Sequence, residues 1–122
     1  MRSEVSCSAN FVTGLKDALN VISGKYKLAI VCALLEQPRR FNEIQRLIKG
    51  ISPRMLSRDL KELMINGVVS KTDTLDNQQE INLYSLTESG KQLDQVIVPM
   101  VHWGQCHRRK QLVSSPKILQ VL

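Results

Sequence analysis

Along the first third of the chain, apolar residues recur at intervals of three and four, a spacing that predicts helices. In residues 11–22 they form one stripe and predict an amphipathic helix that ends near Gly24 and has to pack its stripe on another surface. Residues 25–36 are apolar around most of the circumference. That pattern predicts a helix in the middle of the core.

Two shorter helices are predicted next, joined by a turn at Gly50. Asn42 is the expected N-cap of the first, with Gln45 completing a capping box. Ser52 is the expected N-cap of the second, with Pro53 at the first helical position, where the missing N–H costs nothing. The inward-facing residues are Ile44, Leu47 and Ile48 in the first helix, and Leu56, Leu60, Leu63 and Met64 in the second.

The pattern changes from helical to extended after Asn66-Gly67, where both residues tolerate positive φ. Residues 68–75 and 80–87 are typical of two strands joined by the turn at 76–79. A β-hairpin is therefore predicted.

A last helix is predicted from Thr87 to about Leu112, with a bend at Pro99. Residues 113–122 have no clear assignment and form a tail of unknown structure. The expected inner stripe of this helix contains Leu93, Ile97, Met100, Val101 and Gly104.

The order of elements predicts a mainly α protein with one small β-hairpin. A short helix, a glycine turn and a second helix with a basic outer face form a helix-turn-helix, and the hairpin after it makes the winged variety. We predict one domain in residues 1–112, with the helix-turn-helix in about 42–66, the wing in about 68–86 and the C-terminal helix in about 88–112.

Composition limits the alternatives. With 122 residues and 43% hydrophobic content, the chain suits one core and is too short for a second. It has neither the roughly 18 consecutive apolar residues of a membrane span nor a secretory signal, so a cytosolic location is expected. Three cysteines without CxxC spacing predict reduced thiols, and no disulfide framework, zinc site or other cofactor is expected.

The formal net charge of +6 is concentrated in one segment. Between Lys25 and Lys61 nine basic residues face three acidic ones, whereas the rest of the chain has eight of each. A polyanion is the natural partner of such a segment.

In a helix-turn-helix the N-terminal residues of the second helix reach base edges, and basic residues around it contact phosphates. The alternative for each is an ordinary solvated surface, including a plain polar turn at residues 77–79. The candidates for base readout are Ser52, Pro53, Arg54, Ser57 and Arg58, and those for phosphate or wing contacts are Lys25, Arg39, Arg40, Asn42, Lys61 and Lys71.

Several sequence motifs follow one another along the chain: "GKYKLAIVCALL" at 24–35, "RRFNEIQRLIKGIS" at 39–52, "MLSRDLKELMINGVVSK" at 55–71, "YSLTESGKQL" at 84–93, and Trp103. In these motifs the chain resembles the HxlR-type winged helix-turn-helix regulators, which are similar to the MarR type. The resemblance implies a bacterial repressor or activator that dimerises through its first and last helices and binds a near-palindromic operator on double-stranded DNA.

One position departs from that family. Many members have a Cys-Pro pair where this chain has Thr13-Gly14, and in some of them the cysteine senses oxidants. Cys7 lies six residues earlier, and no neighbouring residue lowers its pKa, so it is read as an ordinary exposed thiol with a redox role as the minor alternative.

Other chemistry is weakly indicated. His102 and Cys106 share a helix face, but two ligands do not make a metal site, and packing at a dimer seam is preferred. Trp103 is expected in the core or at an interface. No carboxylate pair, Cys-His-acid set or phosphate-binding glycine loop indicates an enzyme. The alternative function is a winged-helix protein-interaction module without DNA specificity. A small-molecule effector that binds between the dimer helices stays open as a further partner, although no residue cluster identifies it.

Overall fold

The computed structural model describes residues 8–114, and the side chains of residues 8–111. The chain divides into two compact units, Met1–Lys91 and Gln92–Leu122. The mainly helical fold with a small antiparallel sheet confirms the predicted fold class, while the single domain over 1–112 stays a prediction. The elements are α1 Ala9–Ile22, α2 Lys27–Glu36, β1 Arg39–Arg40, α3 Phe41–Leu47, α4 Pro53–Ile65, β2 Val69–Asp76, β3 Gln79–Leu86, α5 Glu88–Lys91 and α6 Asp94–Ser114.

The core of the first unit lies among α2, α3 and α4. Helix α2 is buried along most of its length, as its all-round apolar pattern predicts. Helix α4 buries its leucine stripe together with Asp59, and its basic side faces outward. The side chains with almost no exposed surface are Ile30 and Val31 of α2, Ile44 of α3, and Leu56, Leu60 and Leu63 of α4.

The caps explain where α3 and α4 begin. Ser52 caps α4 by accepting a hydrogen bond from the Met55 N–H at 3.1 Å, as predicted. The prediction of Asn42 as the cap of α3 is wrong. Arg40 is the N-cap, so α3 begins at Phe41, two residues earlier than an Asn42 cap would give, and Glu43 Oε1 accepts from the Arg40 N–H at 2.8 Å. The helix starts here because Glu43, at the third helical position, satisfies the backbone N–H of Arg40, which leaves Asn42 inside the first turn.

The three-stranded sheet has the order β1-β3-β2, and both pairings are antiparallel. Strands β2 and β3 form the predicted hairpin, which closes through Asn77 and Gln78, both at positive φ. The extended piece at Arg39–Arg40 pairs with Tyr84 and Leu83 of β3 and so joins the sheet to α3.

The prediction of one helix from Thr87 to Leu112 is wrong, because the chain forms α5 and then α6. Thr87 does cap α5, since its Oγ1 accepts from the Gly90 N–H at 3.0 Å, but the same hydroxyl lies 2.6 Å from the Gly67 carbonyl oxygen. Helix α5 is thereby fastened to the base of the hairpin, and the backbone hydrogen bonds restart beyond it, with Ile97 N–H donating to the Leu93 carbonyl.

Several apolar residues predicted to face inward are exposed. No residue of α1 is buried, although its stripe is in place. Leu47 of α3 is exposed, because the helix ends there and Ile48 takes the inward position as C-cap. In α6 Ile97 is buried, whereas Met100 and Val101 are exposed.

Within the described residues, no helix is by itself long and apolar enough to cross a membrane. Helices α1 and α2 reach that length and composition only as a pair, and they are bent by 77° at the break between them.

Candidate nucleic-acid interface

The outer face of α4 carries the predicted base-reading residues. Arg54, Ser57, Arg58 and Lys61 are all exposed, and the leucines on the opposite side are buried. The first turn contains no acidic residue, so the positive end of the helix dipole is not neutralised there. Ser52 and Pro53 stand at that end, with the Ser52 oxygen engaged as the cap. The face therefore presents cationic donors beside a helix N-terminus.

Arg58 is held by its neighbour. Its Nε donates to Asp59 Oδ1 at 3.3 Å. The Asp59 side chain is only 6% exposed, whereas that of Arg58 is 62% exposed. The pair therefore joins a buried carboxylate to an outward guanidinium.

A second ion pair ties α4 to α2. Lys27 Nζ lies 2.6 Å from Glu62 Oε1, and the Lys27 side chain is buried apart from a small fraction. The hydrogen bond and positive charge of Lys27 lower the pKa of Glu62, and the charge of Arg58 adds to the effect. The carboxylate is therefore ionised at neutral pH and fixes the position of α4 against the core helix.

The two arginines of β1 behave differently from each other. Arg39 turns inward, with its side chain 13% exposed; its Nε donates to the Ala33 carbonyl at 2.8 Å and its Nη2 pairs with Glu36. Arg40 is exposed and lies 3.5 Å from Asp76 of the hairpin. Phosphate contact stays a prediction for both, but the described contacts occupy the Arg39 guanidinium with the protein itself.

The remaining cations of the basic segment have no ion pair within residues 8–114. They are Lys25, Arg46, Lys49, Arg54 and Lys61. Lys25 Nζ lies 5.4 Å from the centre of the Tyr26 ring, and Asn42 is exposed on α3. Arg46 and Lys49 did not stand among the sequence-derived candidates. Arg46 in the last turn of α3 and Lys49 just after it are three residues apart, and this spacing in the sequence indicates that both lie beside the turn into α4.

The hairpin has the opposite charge. Lys71 is exposed as predicted, but the stretch from Lys71 to Glu80 also contains Asp73, Asp76 and Glu80. Only Asp76 is paired among these acids in the described part of the chain, and its partner is Arg40. The excess of acid in the wing does not appear in the sequence count, because everything outside Lys25–Lys61 is taken together there and has equal numbers of basic and acidic residues.

A groove of about 720 Å³ lies between α2 and the end of α3. Its wall includes Tyr26, Ala29, Cys32, Leu47 and Lys49. Burial and the nearby Glu36 raise the pKa of the Cys32 thiol, which disfavours the thiolate. Cys32 is therefore poorly suited to act as a nucleophile.

Helix α6 carries the remaining candidates. The rings of Trp103 and His107 stack with centroids 4.7 Å apart and an angle of 9°. Trp103 is exposed, so the prediction that it lies in the core is wrong, whereas the prediction that it lies at an interface stays a prediction. His102 and Cys106 are also exposed, and within residues 8–114 no group of three His, Cys, Asp or Glu side chains could hold a metal ion. Cys7 and residues 115–122 lie outside the described residues.

A short helix, a glycine turn with Gly50 at φ +88°, a capped helix with a cationic outer face and a β-hairpin define a winged helix-turn-helix protein. The family model for HxlR-like helix-turn-helix proteins matches residues 21–112. The chain belongs to this family of DNA-binding regulators.

Similar proteins agree with this assignment. An uncharacterised HTH-type transcriptional regulator of Methanothermobacter thermautotrophicus is 32% identical over 107 residues, covering 88% of this chain and 81% of the relative. The redox regulator HypR in its reduced form is 33% identical with a TM-score of 0.72, covering 78% of this chain and 93% of HypR. A MarR-family regulator from Enterococcus faecalis V583 is 28% identical with a TM-score of 0.73, and the match covers 89% of this chain and 97% of that regulator. The chain is a transcriptional regulator of the winged helix-turn-helix type.

Proposed function

We propose that the chain binds double-stranded DNA sequence-specifically, as a homodimer on a near-palindromic operator, with α4 in the major groove. The observation that carries this proposal is the exposed face of α4, where Arg54 and Arg58 stand in the first two turns behind the Ser52 cap. Arginine can form two hydrogen bonds to the O6 and N7 of guanine, and each good pair contributes about 1–3 kcal/mol of discrimination.

Cations around α4 supply the sequence-independent part of the affinity. Arg46, Lys49 and Lys61 are exposed and free of ion pairs among the described residues, which makes them available to phosphates. Lys25, Asn42 and Arg40 are further candidates, and Lys71 is the candidate on the wing. Each phosphate neutralised releases counterions, so the affinity falls steeply as salt is added.

The experiment is a selection of bound duplexes from a random-sequence pool by the purified protein, followed by titration of one selected duplex and one scrambled duplex at several salt concentrations. We expect a common half-site, repeated in inverted orientation, and a specificity ratio of at least about 10³. Binding without enrichment of any sequence would contradict specific recognition. The alternative, a protein-interaction module, requires that neither duplex shows a salt-dependent affinity.

The homodimer is supported by apolar surface on α1. Phe11, Val12, Leu15 and Leu19 are all exposed, although their three-four spacing is that of a packed face. A second copy of the chain is the partner that the family resemblance implies, and α6 adds exposed apolar residues of its own.

Sedimentation analysis tests the dimer. Leu15→Asp places a charge on the α1 face and should shift the mass from dimer to monomer. Leu75→Asp is the matched control, because Leu75 is 73% exposed in the hairpin against 56% for Leu15 in α1. A wild-type protein that is monomeric at micromolar concentration would contradict the dimer.

The similar protein HypR is a redox regulator by its name. For this chain, the sequence offers Cys7 as the candidate thiol for a response to oxidants. Alkylation by a small electrophile, compared between the wild-type chain and Cys7→Ser, would test whether that thiol changes DNA binding.

A further inference from the structure

One pair of neighbours on α4 joins the core to the base-reading face. Asp59 is a carboxylate with almost no exposed surface, and Arg58 is its ion-pair partner within the described residues. Burying an ionised carboxylate is costly unless it is paired. The guanidinium of Arg58 is therefore drawn to one position before any DNA is bound.

The atom of Arg58 that contacts Asp59 determines which of its N–H donors remain available for DNA. Arginine has five N–H donors, and the bond to Asp59 uses the one on Nε. The four donors on Nη1 and Nη2 stay free, and this edge forms the fork that matches O6 and N7 of guanine. The contact with Asp59 thus orients the arginine without occupying its reading edge.

A second acid stands within reach of Arg58 but is engaged elsewhere. Glu62 lies four residues further along α4, the usual spacing of a competing helix pair. Its carboxylate is bound by Lys27 at 2.6 Å. Lys27 therefore holds the competing carboxylate by direct contact, and Asp59 is the acid that the Arg58 guanidinium contacts.

We propose that Asp59 is a specificity-determining positioning residue, which orders Arg58 for bidentate recognition of one guanine in each operator half-site. The inference rests on the proposed function, since it requires that α4 reads bases. Ordering the side chain in the free protein lowers the entropy cost of forming the two hydrogen bonds. The effect is confined to the base pair that Arg58 contacts.

The test uses the full chain and a duplex that the wild-type protein selects from a random pool. Every single-base-pair variant of the half-site is then competed against the selected duplex. Arg58→Ala identifies the base pair that Arg58 reads. Asp59→Ala should reduce the preference at that same base pair by about tenfold and leave the other positions unchanged. Asp59→Asn keeps one acceptor oxygen for Nε and should retain part of the preference.

Three comparisons separate this role from a general structural one. The double variant Arg58→Ala/Asp59→Ala should show no greater loss at that base pair than Arg58→Ala alone. Arg58→Lys keeps the charge but has no Nε–H or fork, and should also lose the preference. Glu88→Gln removes one negative charge from an exposed site far along the sequence and should leave the whole preference profile unchanged.

Preference ratios compare only folded, binding-competent protein, so a partial loss of stability does not obscure them. An Asp59→Ala profile equal to that of the wild type, or a uniform weakening at all positions, would overturn the inference while leaving the proposed function intact. Failure of the wild-type protein to select any sequence would overturn the proposed function, and this inference with it.

Discussion

Helix α4 and the β2–β3 hairpin are the two elements that a winged helix-turn-helix directs at DNA, and they differ in charge. The outer face of α4 carries Arg54, Arg58 and Lys61, whereas the hairpin between Lys71 and Glu80 has one basic residue against three acidic ones. A phosphate backbone attracts the first surface and repels much of the second. On the proposed function, we expect α4 to supply the recognition and the wing to contribute little to the affinity for DNA.

The two elements also differ in how they are attached. Helix α4 buries three leucines and is tied to α2 by the ion pair between Lys27 and Glu62. The hairpin is exposed along residues 71–80 and is fastened mainly at its base, where Thr87 bonds the Gly67 carbonyl. The difference implies that the wing can be disturbed at its base without loss of the α4 surface.

The base of the hairpin gives the largest expected effect. A Cβ added at Gly90 would lie 2.2 Å from the Val68 carbonyl oxygen and 3.1 Å from Leu86 Cδ2. Because the first contact is with backbone, Gly90→Ala has to move α5 or the backbone at Val68, just before β2, at a cost of about 1–3 kcal/mol or more. We expect Tm to fall by roughly 5–15 °C in thermal unfolding followed by circular dichroism.

Gly104→Ala is the matched control for this change. A Cβ at Gly104 meets no atom within 4 Å, and the residue lies inside helix α6. Alanine is favoured over glycine in a helix by about 0.5–1 kcal/mol, so Tm should stay equal or rise slightly. An equal fall for both variants would contradict the close approach of Gly90 to Val68.

On the helix side of the comparison, Arg58→Ala should weaken binding to the selected duplex by about 1–3 kcal/mol and weaken binding to a scrambled duplex much less. The reason is that a base contact contributes to discrimination, while a phosphate contact contributes to both. Fluorescence anisotropy with the two duplexes measures the ratio. A specificity ratio equal to that of the wild type would remove Arg58 from base readout.

Much of this comparison was predictable from the sequence. The cap at Ser52, the inward leucines of α4, the glycine turn and the hairpin depend on local spacing and turn residues, and local signals of that kind survive in the fold. The outward position of Arg54, Arg58 and Lys61 follows from the same helical period. These features position the candidate site.

What the sequence did not predict depends on contacts between distant residues. The hydroxyl of Thr87 at the start of α5 donates to the carbonyl of Gly67, twenty residues away, and this short helix ends before α6 begins. The inward turn of Arg39 depends on the Ala33 carbonyl that the end of α2 leaves unpaired. The pairing of Asp59 with Arg58 required the burial of Asp59, which the charge pattern of an outer face does not reveal.

A smaller effect is expected on the wing side. Lys71→Ala should weaken binding to selected and scrambled duplexes alike and reduce the slope of log K against log salt by about 1 per protomer, if Lys71 contacts a phosphate. Asp73→Asn is the opposite change on the same strand, and it should strengthen binding to both duplexes slightly at low salt. Lys71→Ala with an altered preference among half-site variants would show instead that the wing reads bases.

The smallest effect concerns the attachment of α4. The pKa of Glu62 is lowered in the folded protein from an ordinary value of 4.5, chiefly by the hydrogen bond from Lys27. A carboxyl whose pKa is lower in the folded than in the unfolded chain stabilises the fold above its ordinary pKa and loses that contribution as the pH falls through the folded value. Glu62→Gln should therefore lower Tm at neutral pH, and the difference in Tm from the wild type should close as the pH falls below about 4.5.

Glu80→Gln is the control for this change. It removes an equal charge from a hairpin position that has no ion pair within the described residues. A Tm gap for Glu62→Gln that is the same at pH 7 and pH 3 would mean that the ion pair does not stabilise α4 against α2.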